Sequence, residues 1–331
     1  MHTRTLGRTG LEVSEVGLGA WAIGGDWGEV SETDAMATLH AAVDAGVTLI
    51  DTADVYGDGR SERLVGQLLR DRPEVDLVVA TKAGRRLDPH EASGYDRTNL
   101  ETFVDRSLTN LGVDQLDLVQ LHCPPWETYY QRSTYEAMEA ITAAGKVAHW
   151  GVSVEKVEEA LKAITHPVVE TVQVIFNAFR QRPAELLFRE AAARDVGILA
   201  RVPLASGLLT GKMSAETTFA EDDHRNFNAD GEAFDVGETF AGVPFEVGLE
   251  AVERIRAILG DGADTDAMVS FALRWILSFD AVSTVIPGAK RPEQAMANAA
   301  VSGEGPLRGD HLPRVKAVYD ELIAPHVHHR W

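Results

Sequence analysis

The segment LDLVQLHCPPWETYYQRSTYEAMEAITAAGKVAHWGV, residues 116–152, contains a complete strand–helix–strand unit. Residues 116–122 are a short, mostly apolar run, which is typical of a buried strand. Ser133, with a glutamate three residues later, has the pattern of a helix-capping box, and Gly145 ends the helix that follows. Residues 148–152 form the next apolar run. This order predicts two strands joined by a crossover helix.

The same unit recurs along the chain without a shift in composition. The predicted strands are residues 16–18, 47–51, 77–82, 116–122, 148–152, 171–175, 198–201 and 282–286. Amphipathic helices separate them. Eight such units indicate an α/β protein with a closed (β/α)8 TIM barrel, which we expect to form a single domain over residues 1–331.

Two segments lie outside this repeat. Residues 3–6 and 11–14, joined by a turn at residues 7–10, predict an N-terminal β-hairpin that is placed to plug the bottom of the barrel. Residues 213–244 are polar and acidic, and they form a long loop after strand 7. We expect this loop to be a lid, because active sites lie on that face of such barrels. An insertion without a function is the alternative.

The charge balance excludes several classes of partner. The 331 residues include 51 acidic and 31 basic side chains, which gives a net charge of −20. This charge repels nucleic acids and anionic membranes, so neither is expected as a partner. The single cysteine, Cys123, permits no intrachain disulfide and favours a cytoplasmic location. The oligomeric state stays open, and a monomer is possible.

Two glycine-rich motifs resemble nucleotide sites but lack the required context. Residues 17–22, GLGAWA, match a dinucleotide-binding pattern, yet residues 23–28, IGGDWG, do not suit the first turn of a helix. A Rossmann fold is therefore rejected. Residues 207–212, GLLTGK, have one spacer too few for a P-loop. Their backbone amides and Lys212 remain candidates for holding a phosphate.

Four ionisable side chains lie at or just after the ends of three consecutive predicted strands. They are Asp51, Tyr56, Lys82 and His122. Singly, each fits ordinary packing or solvation, but a barrel brings all four to one rim. Lys82 would lower the pKa of Tyr56, and Asp51 would hold Lys82 charged. Tyr56 is then a general acid for a carbonyl oxygen that His122 orients, while a nicotinamide or flavin must supply hydride.

These residues and their surroundings resemble the aldo-keto reductase family. The matching segments are residues 16–21, 50–53, 56–57, 81–82, 117–122, 151–153, 172–173, 203–204, 207–209 and 286–288. The resemblance implies that Asp51, Tyr56, Lys82 and His122 form the catalytic tetrad. It also implies reversible reduction of aldehydes or ketones to alcohols, with hydride from C4 of NADPH, which becomes NADP+.

The resemblance further implies a set of cofactor-binding residues. Ser153 and Gln173 would bind the nicotinamide carboxamide, and Arg201 stands where the family often has a stacking aromatic residue. Lys290, Arg291 and Gln294 would face the 2′-phosphate. The remaining predicted contacts are Trp21, Pro203, Leu204, Gly207, Leu208, Lys212, Pro287, Gly288 and, at the adenine, Asn298. Lys290 and Arg291 also precede a predicted helix N-terminus, which favours a phosphate.

The substrate pocket is predicted to be apolar and aromatic. Its candidate residues are Trp21, Trp27, Tyr56, His122 and Trp126, which would suit aromatic or aliphatic carbonyl compounds. The alternative is that some of the tryptophans are core or rim residues. Two other functions compete with a reductase. One is an NADPH-binding regulatory or redox-sensor subunit, because potassium-channel β-subunits resemble the same family. The other is a barrel metal hydrolase or isomerase, for which the sequence offers no metal-ligand set.

Overall fold

The computed structural model describes residues 1–24, 30–221, 223–260, 262–305, 307 and 309–331. Its strands are β1 (Thr3–Thr5), β2 (Glu12–Ser14), β3 (Leu18–Gly19), β4 (Leu49–Asp51), β5 (Val78–Ala83), β6 (Leu116–His122), β7 (Val147–Ser153), β8 (Val169–Ile175), β9 (Gly197–Arg201) and β10 (Val282–Val285). Within the described residues, β3 to β10 pair in chain order, and every pair is parallel.

The two edges of this sheet meet, so the barrel is closed. Parallel bridges join Val16 to Val285 and Gly19 to Gly288. The backbone N–H of Gly19 also donates a hydrogen bond to the Pro287 carbonyl, at 3.0 Å. The predicted (β/α)8 TIM barrel is therefore confirmed. Because all eight strands run in the same direction, their C-terminal ends share one face.

The predicted N-terminal hairpin is also confirmed. β1 and β2 pair antiparallel. Leu6 and Val13 of the hairpin are fully buried against the barrel interior, where they join Leu49, Val78 and other inward-facing residues. Leu49 and Val78 begin their strands. The hairpin thus closes the barrel at the N-terminal ends of the strands, and the opposite face is left for a site.

Helices surround the barrel between the strands. Their bounds are α1 (Trp21–Gly24), α2 (Glu32–Asp44), α3 (Arg60–Asp71), α4 (Arg97–Leu111), α5 (Arg132–Ala143), α6 (Val157–Ala163), α7 (Leu187–Ala193), α8 (His224–Phe227), α9 (Phe245–Leu259), α10 (Thr265–Leu277), α11 (Pro292–Ala300), α12 (His311–Val318) and α13 (Ala324–Val327). None of the helices in the described part of the chain combines the length and apolar character needed to cross a bilayer.

The capping box predicted at Ser133 is wrong. A 3-10 helix, Trp126–Tyr130, runs directly into α5, and Gln131 is the boundary residue that both helices share. α5 therefore begins one residue before Ser133, without a side-chain cap. The end of α5 is as expected, since Gly145 follows with a φ of 78°, a left-handed conformation that suits glycine.

The long loop after β9 is folded rather than extended. It contains α8 and two 3-10 turns, Val236–Glu238 and Phe240–Gly242. His224 is fully buried, and Asp235 accepts a hydrogen bond from the indole N–H of Trp331 at 2.9 Å. The loop leaves the C-terminal face of the barrel. Its hydrogen bond with Trp331, a residue distant in sequence, holds it in place.

Candidate active site

A cleft of about 370 Å3 opens at the C-terminal ends of the barrel strands. Most of the residues predicted to act in catalysis or to bind cofactor or substrate line this cleft. They are Trp21, Asp51, Tyr56, His122, Ser153, Gln173, Arg201, Pro203, Leu204, Gly207, Gly288, Lys290 and Gln294. They come from widely separated parts of the sequence, and the barrel brings them to one rim.

Lys82 lies beneath the cleft and connects Asp51 to Tyr56. Its ammonium group donates to Asp51 Oδ2 at 2.7 Å, to the Thr52 carbonyl at 2.8 Å and to Tyr56 Oη at 3.3 Å. An ammonium group has three hydrogens, so all of them are used. Because Lys82 donates to the phenol oxygen, Tyr56 does not use its own hydrogen in this bond and can donate it to another group.

The charge state of Lys82 depends on its partners. Burial disfavours its charged form, but Asp51 and Tyr56 outweigh burial and hold the pKa of Lys82 above its usual value. Asp51 is fixed in turn, because Gln173 donates to its Oδ1 at 2.6 Å while Lys82 occupies Oδ2. The ion pair is thus held from both sides at the ends of β4, β5 and β8.

The predicted effect of Lys82 on Tyr56 is present, but it does not decide the net pKa of the phenol. Lys82 does pull the pKa of Tyr56 downward, but removal of the phenol from water is the larger effect and raises that pKa above 10. The carboxylates of Asp51 and Glu238 add to the increase. Tyr56 is therefore a neutral phenol at pH 7, the protonation state that a proton donor requires.

His122 is uncharged beside Tyr56. Burial, aided by the positive charges of Arg85 and Lys82, holds the pKa of His122 well below its usual value. The two rings meet edge to face, with centroids 6.0 Å apart. His122 Nδ1 has no hydrogen-bond partner within the described residues. A neutral imidazole beside the phenol can donate one hydrogen bond to a carbonyl oxygen.

The loop after β9 has an unusual backbone where it lines the cleft. Val202, Ala205, Ser206 and Gly207 all have positive φ, at 54°, 46°, 55° and 95°. This conformation is costly for a β-branched residue such as valine, and such strain is concentrated at functional sites. At Leu204 and Ala205 the backbone also changes from a negative to a positive φ, an alternation that turns neighbouring amides toward a common centre and favours an anion. The predicted phosphate-binding role of this loop thus has a physical basis.

The segment after β10 forms the far end of the cleft. Lys290 and Gln294 line it, and the backbone N–H of Lys290 donates to Gln294 Oε1 at 2.8 Å. Arg291 is the N-cap residue of α11 and is exposed. Asn298 is buried on α11, where its amide donates to the Gly288 carbonyl at 3.4 Å. Both flank the cleft rather than line it.

Four other predicted residues do not line the cleft. Leu208 is fully buried in the core, Lys212 is exposed, and Pro287 is engaged in closing the barrel. Trp126 is 39% exposed and packs on Tyr130 with ring centroids 5.2 Å apart, because its 3-10 helix turns away after β6. Trp27 lies outside the described residues.

Several charged residues of the site were not predicted. Arg225 and Glu238 of the long loop line the cleft, and Arg85 and Glu155 contact Glu238 or Arg201 at its edge. Arg85 and Glu155 could have been found, since each follows a strand end by two residues. Glu238 had no such signal, because it is one of many acidic residues in the loop. These charged residues share the cleft with the predicted aromatic residues Trp21 and Tyr56.

Comparisons with known proteins agree with this geometry. A sequence model of the aldo/keto reductase family matches residues 15–320. Aldo-keto reductase YhdN of Bacillus subtilis (strain 168) is 32% identical over 306 residues, which cover 92% of this chain and 89% of that protein. A probable voltage-gated potassium channel subunit beta of Oryza sativa subsp. japonica is 31% identical over 314 residues, 90% of each chain.

A solved structure shows the same correspondence in three dimensions. The glycerol dehydrogenase AKR11B4 from Gluconobacter oxydans is 30% identical and superposes with a TM-score of 0.75, over 98% of this chain and 96% of that one. The family match spans nearly the whole barrel, and similar proteins are matched over most of their own length. This chain belongs to the aldo/keto reductase family.

Proposed function

We propose that this protein catalyses the reversible, NADPH-dependent reduction of aldehydes and ketones to alcohols. The observation that carries the proposal is the hydrogen bond from Lys82 Nζ to Tyr56 Oη. This bond, together with the raised pKa of Tyr56, leaves a neutral phenol whose hydrogen is free to bond to a substrate.

The residues of the cleft fit a nicotinamide dinucleotide, the cofactor used by this family. The loop at residues 202–207, in which a negative φ at Leu204 is followed by positive φ at Ala205, suits a pyrophosphate, and Lys290 with the N-terminus of α11 suits a further phosphate. Gly19 and Gly288 present no side chain where the first and last strands meet. Ser153 and Gln173 place a hydroxyl and an amide near the tetrad, where a carboxamide would need partners.

In the proposed reaction, a bound nicotinamide supplies the hydride. Tyr56 donates its hydrogen to the oxygen of the carbonyl and then passes the proton to it. Lys82 stabilises the phenolate that remains, and Asp51 keeps Lys82 charged and in place. Neutral His122 donates a hydrogen bond to the same carbonyl oxygen, which fixes its position relative to Tyr56.

The preference for NADPH over NADH is assigned to Lys290 and Arg291. The chain carries a net charge of −20, so two adjacent cations beside the cleft are a local exception that favours an extra phosphate. Gln294 lines the cleft next to them.

A regulatory role is the second candidate, because the chain is also 31% identical to a probable potassium channel subunit beta. The decisive experiment is a fluorescence titration with NADPH and NADH, followed by NADPH consumption with 4-nitrobenzaldehyde and small aliphatic aldehydes. We expect tighter binding of NADPH and sustained turnover. Tight binding without turnover on any aldehyde would favour a sensor and contradict the reductase.

A further inference from the structure

Four charged side chains form a compact group beside His122, which we call the charge quartet: Arg85, Glu155, Arg201 and Glu238. Arg85 Nη2 lies 2.7 Å from Glu238 Oε1 and 3.3 Å from Glu155 Oε1. Arg201 Nη2 lies 3.0 Å from Glu155 Oε2, and its Nη1 lies 3.7 Å from Glu238 Oε1. Each arginine therefore contacts both carboxyl groups.

Three members of the quartet are positioned by the barrel strands, and the fourth is positioned by the long loop after β9. Arg85 and Glu155 follow β5 and β7 by two residues, and Arg201 is the last residue of β9. The barrel thus fixes these three. Glu238 instead belongs to the long loop after β9, at the end of a 3-10 turn. A movement of that loop would remove Glu238 and leave the two arginines in place.

The quartet lies within reach of the reacting groups. Arg201 and Glu238 line the same cleft as Tyr56 and His122. Arg201 Nη2 is 3.8 Å from the sulfur of Cys123, the residue that follows His122. A substrate whose carbonyl lies at Tyr56 could therefore place a second polar group on the quartet.

The hydrogen-bonding capacity of the two guanidinium groups is not fully used. Burial raises the pKa of the Glu155 carboxyl, with Arg201 opposing and Glu238 reinforcing that increase, so negative charge is disfavoured on Glu155. Burial also disfavours charge on Glu238, but Arg85 and Arg201 outweigh it and lower the pKa of this carboxyl. In addition, Arg201 Nε is buried and finds no acceptor within the described residues. At least one guanidinium N–H of the quartet therefore has no acceptor among the described residues.

We propose that Arg85 and Arg201 form a carboxylate-binding site, which Glu238 fills in this structure and which the carboxylate of an anionic aldehyde or ketone fills during turnover. The proposal rests on the proposed reductase function and names its substrate class. Paired arginines are well suited to a carboxylate, because their N–H groups match its two oxygens. Glu238 acts as an internal competitor that a substrate carboxylate displaces.

A simpler role for the quartet would be to anchor the long loop to the barrel. The two roles make different predictions about substrate charge. An anchor affects all substrates alike, whereas a carboxylate site discriminates between a charged and a neutral substrate of the same shape. The ratio of their kcat/KM values separates the two roles.

The test compares 4-carboxybenzaldehyde with 4-nitrobenzaldehyde, since carboxylate and nitro groups are close in size and shape. Their intrinsic reactivities differ, but this difference cancels when ratios are compared between variants. Glu238→Gln should raise the charged-to-neutral ratio about tenfold, because an anionic competitor is lost. Arg85→Gln should lower the ratio by a similar factor. Glu158→Gln, which removes a surface carboxylate paired with Arg182, should leave the ratio unchanged.

Equal effects of Glu238→Gln and Arg85→Gln on both aldehydes would overturn the carboxylate site and leave the quartet as an anchor. The same result would still leave the reductase intact. If instead the unaltered protein reduces neither aldehyde with NADPH, the proposed function itself fails.

Discussion

Burial of Tyr56 and Lys82 together gives each of them its protonation state. The phenol is kept neutral because it is removed from water, whereas the ammonium is kept charged because Asp51 and Tyr56 contact it. The sequence identified both residues from their places at strand ends. It could not give the sign of the shift in Tyr56, because the cost of burial depends on packing that a linear pattern does not contain.

Asp54, close to this site, allows the effect of burial on the pKa of a carboxyl group to be tested. It is fully buried, and neither carboxylate oxygen has a hydrogen-bond partner within the described residues. Burial, with Glu62 adding to it, raises the pKa of Asp54 to about 7. In the unfolded chain this carboxyl loses its proton near pH 4. Between these two values the unfolded state binds fewer protons, so stability must fall as the pH rises.

We therefore expect Asp54→Asn to remove a pH-dependent loss of stability. Between pH 5 and pH 8 the free energy of unfolding of the unaltered protein should fall by about 2–3 kcal/mol relative to the variant. Urea denaturation at the two pH values measures this difference. The exposed Asp230→Asn is the control and should follow the unaltered protein. Parallel pH dependences for Asp54→Asn and the unaltered protein would show that Asp54 does not titrate in this range.

At the scale of elements, regular segments were predictable and irregular ones were not. The strand predicted at residues 116–122 has the bounds of β6, because its apolar run is long, follows a polar residue and ends just before two prolines. The predicted start of α5 was wrong, because the 3-10 helix that precedes α5 overrides the local capping pattern. Glu238 reaches the cleft through a backbone with left-handed residues at Phe240 and Ala241. The spacing of apolar residues predicts helices and strands, but it does not predict the course of such an irregular segment.

The start of α11 should determine the choice of cofactor. Replacing Lys290 and Arg291 together with alanine should weaken NADPH binding about 10- to 100-fold, because charged contacts with the 2′-phosphate are lost. NADH, which lacks that phosphate, should be affected much less. Equilibrium fluorescence titration measures both constants. The exposed pair Arg314 and Lys316 on α12, replaced in the same way, controls for the change in net charge. Equal losses for both cofactors would refute the assignment.

The anchoring of the long loop should determine how fast the cofactor leaves. Trp331 packs on Arg180, whose guanidinium carbon is 3.8 Å from the ring centroid, and donates to Asp235. Trp331→Phe keeps an aromatic ring but removes the N–H donor, at a cost of about 1–3 kcal/mol. If the loop is a lid, NADPH release in stopped-flow fluorescence should become several-fold faster. An unchanged release rate, with a lower stability, would make this contact purely structural.

At the scale of the whole molecule, the barrel brings residues that are far apart in the sequence together in one site. Eight strand–helix units, recognisable from their spacing, place Asp51, Tyr56, Lys82 and His122 on one face, while the hairpin closes the other. These four residues could therefore be predicted from strand ends, whereas the cofactor contacts were implied by the resemblance to the family. Arg225 and Glu238 could not be predicted, because they lie on a loop whose course is set by tertiary contacts. A single domain over residues 1–331 remains a prediction.

The proton-donating role of Tyr56 is the central claim, and Tyr56→Phe tests it most directly. The substitution removes one hydroxyl and keeps the ring, so NADPH should bind within about twofold of the original affinity. Turnover of 4-nitrobenzaldehyde should fall by at least about 100-fold, the contribution expected of a general acid. The exposed Tyr130→Phe is the matched control and should retain full turnover. Turnover by Tyr56→Phe equal to that of the unaltered protein, with NADPH still bound, would contradict the account.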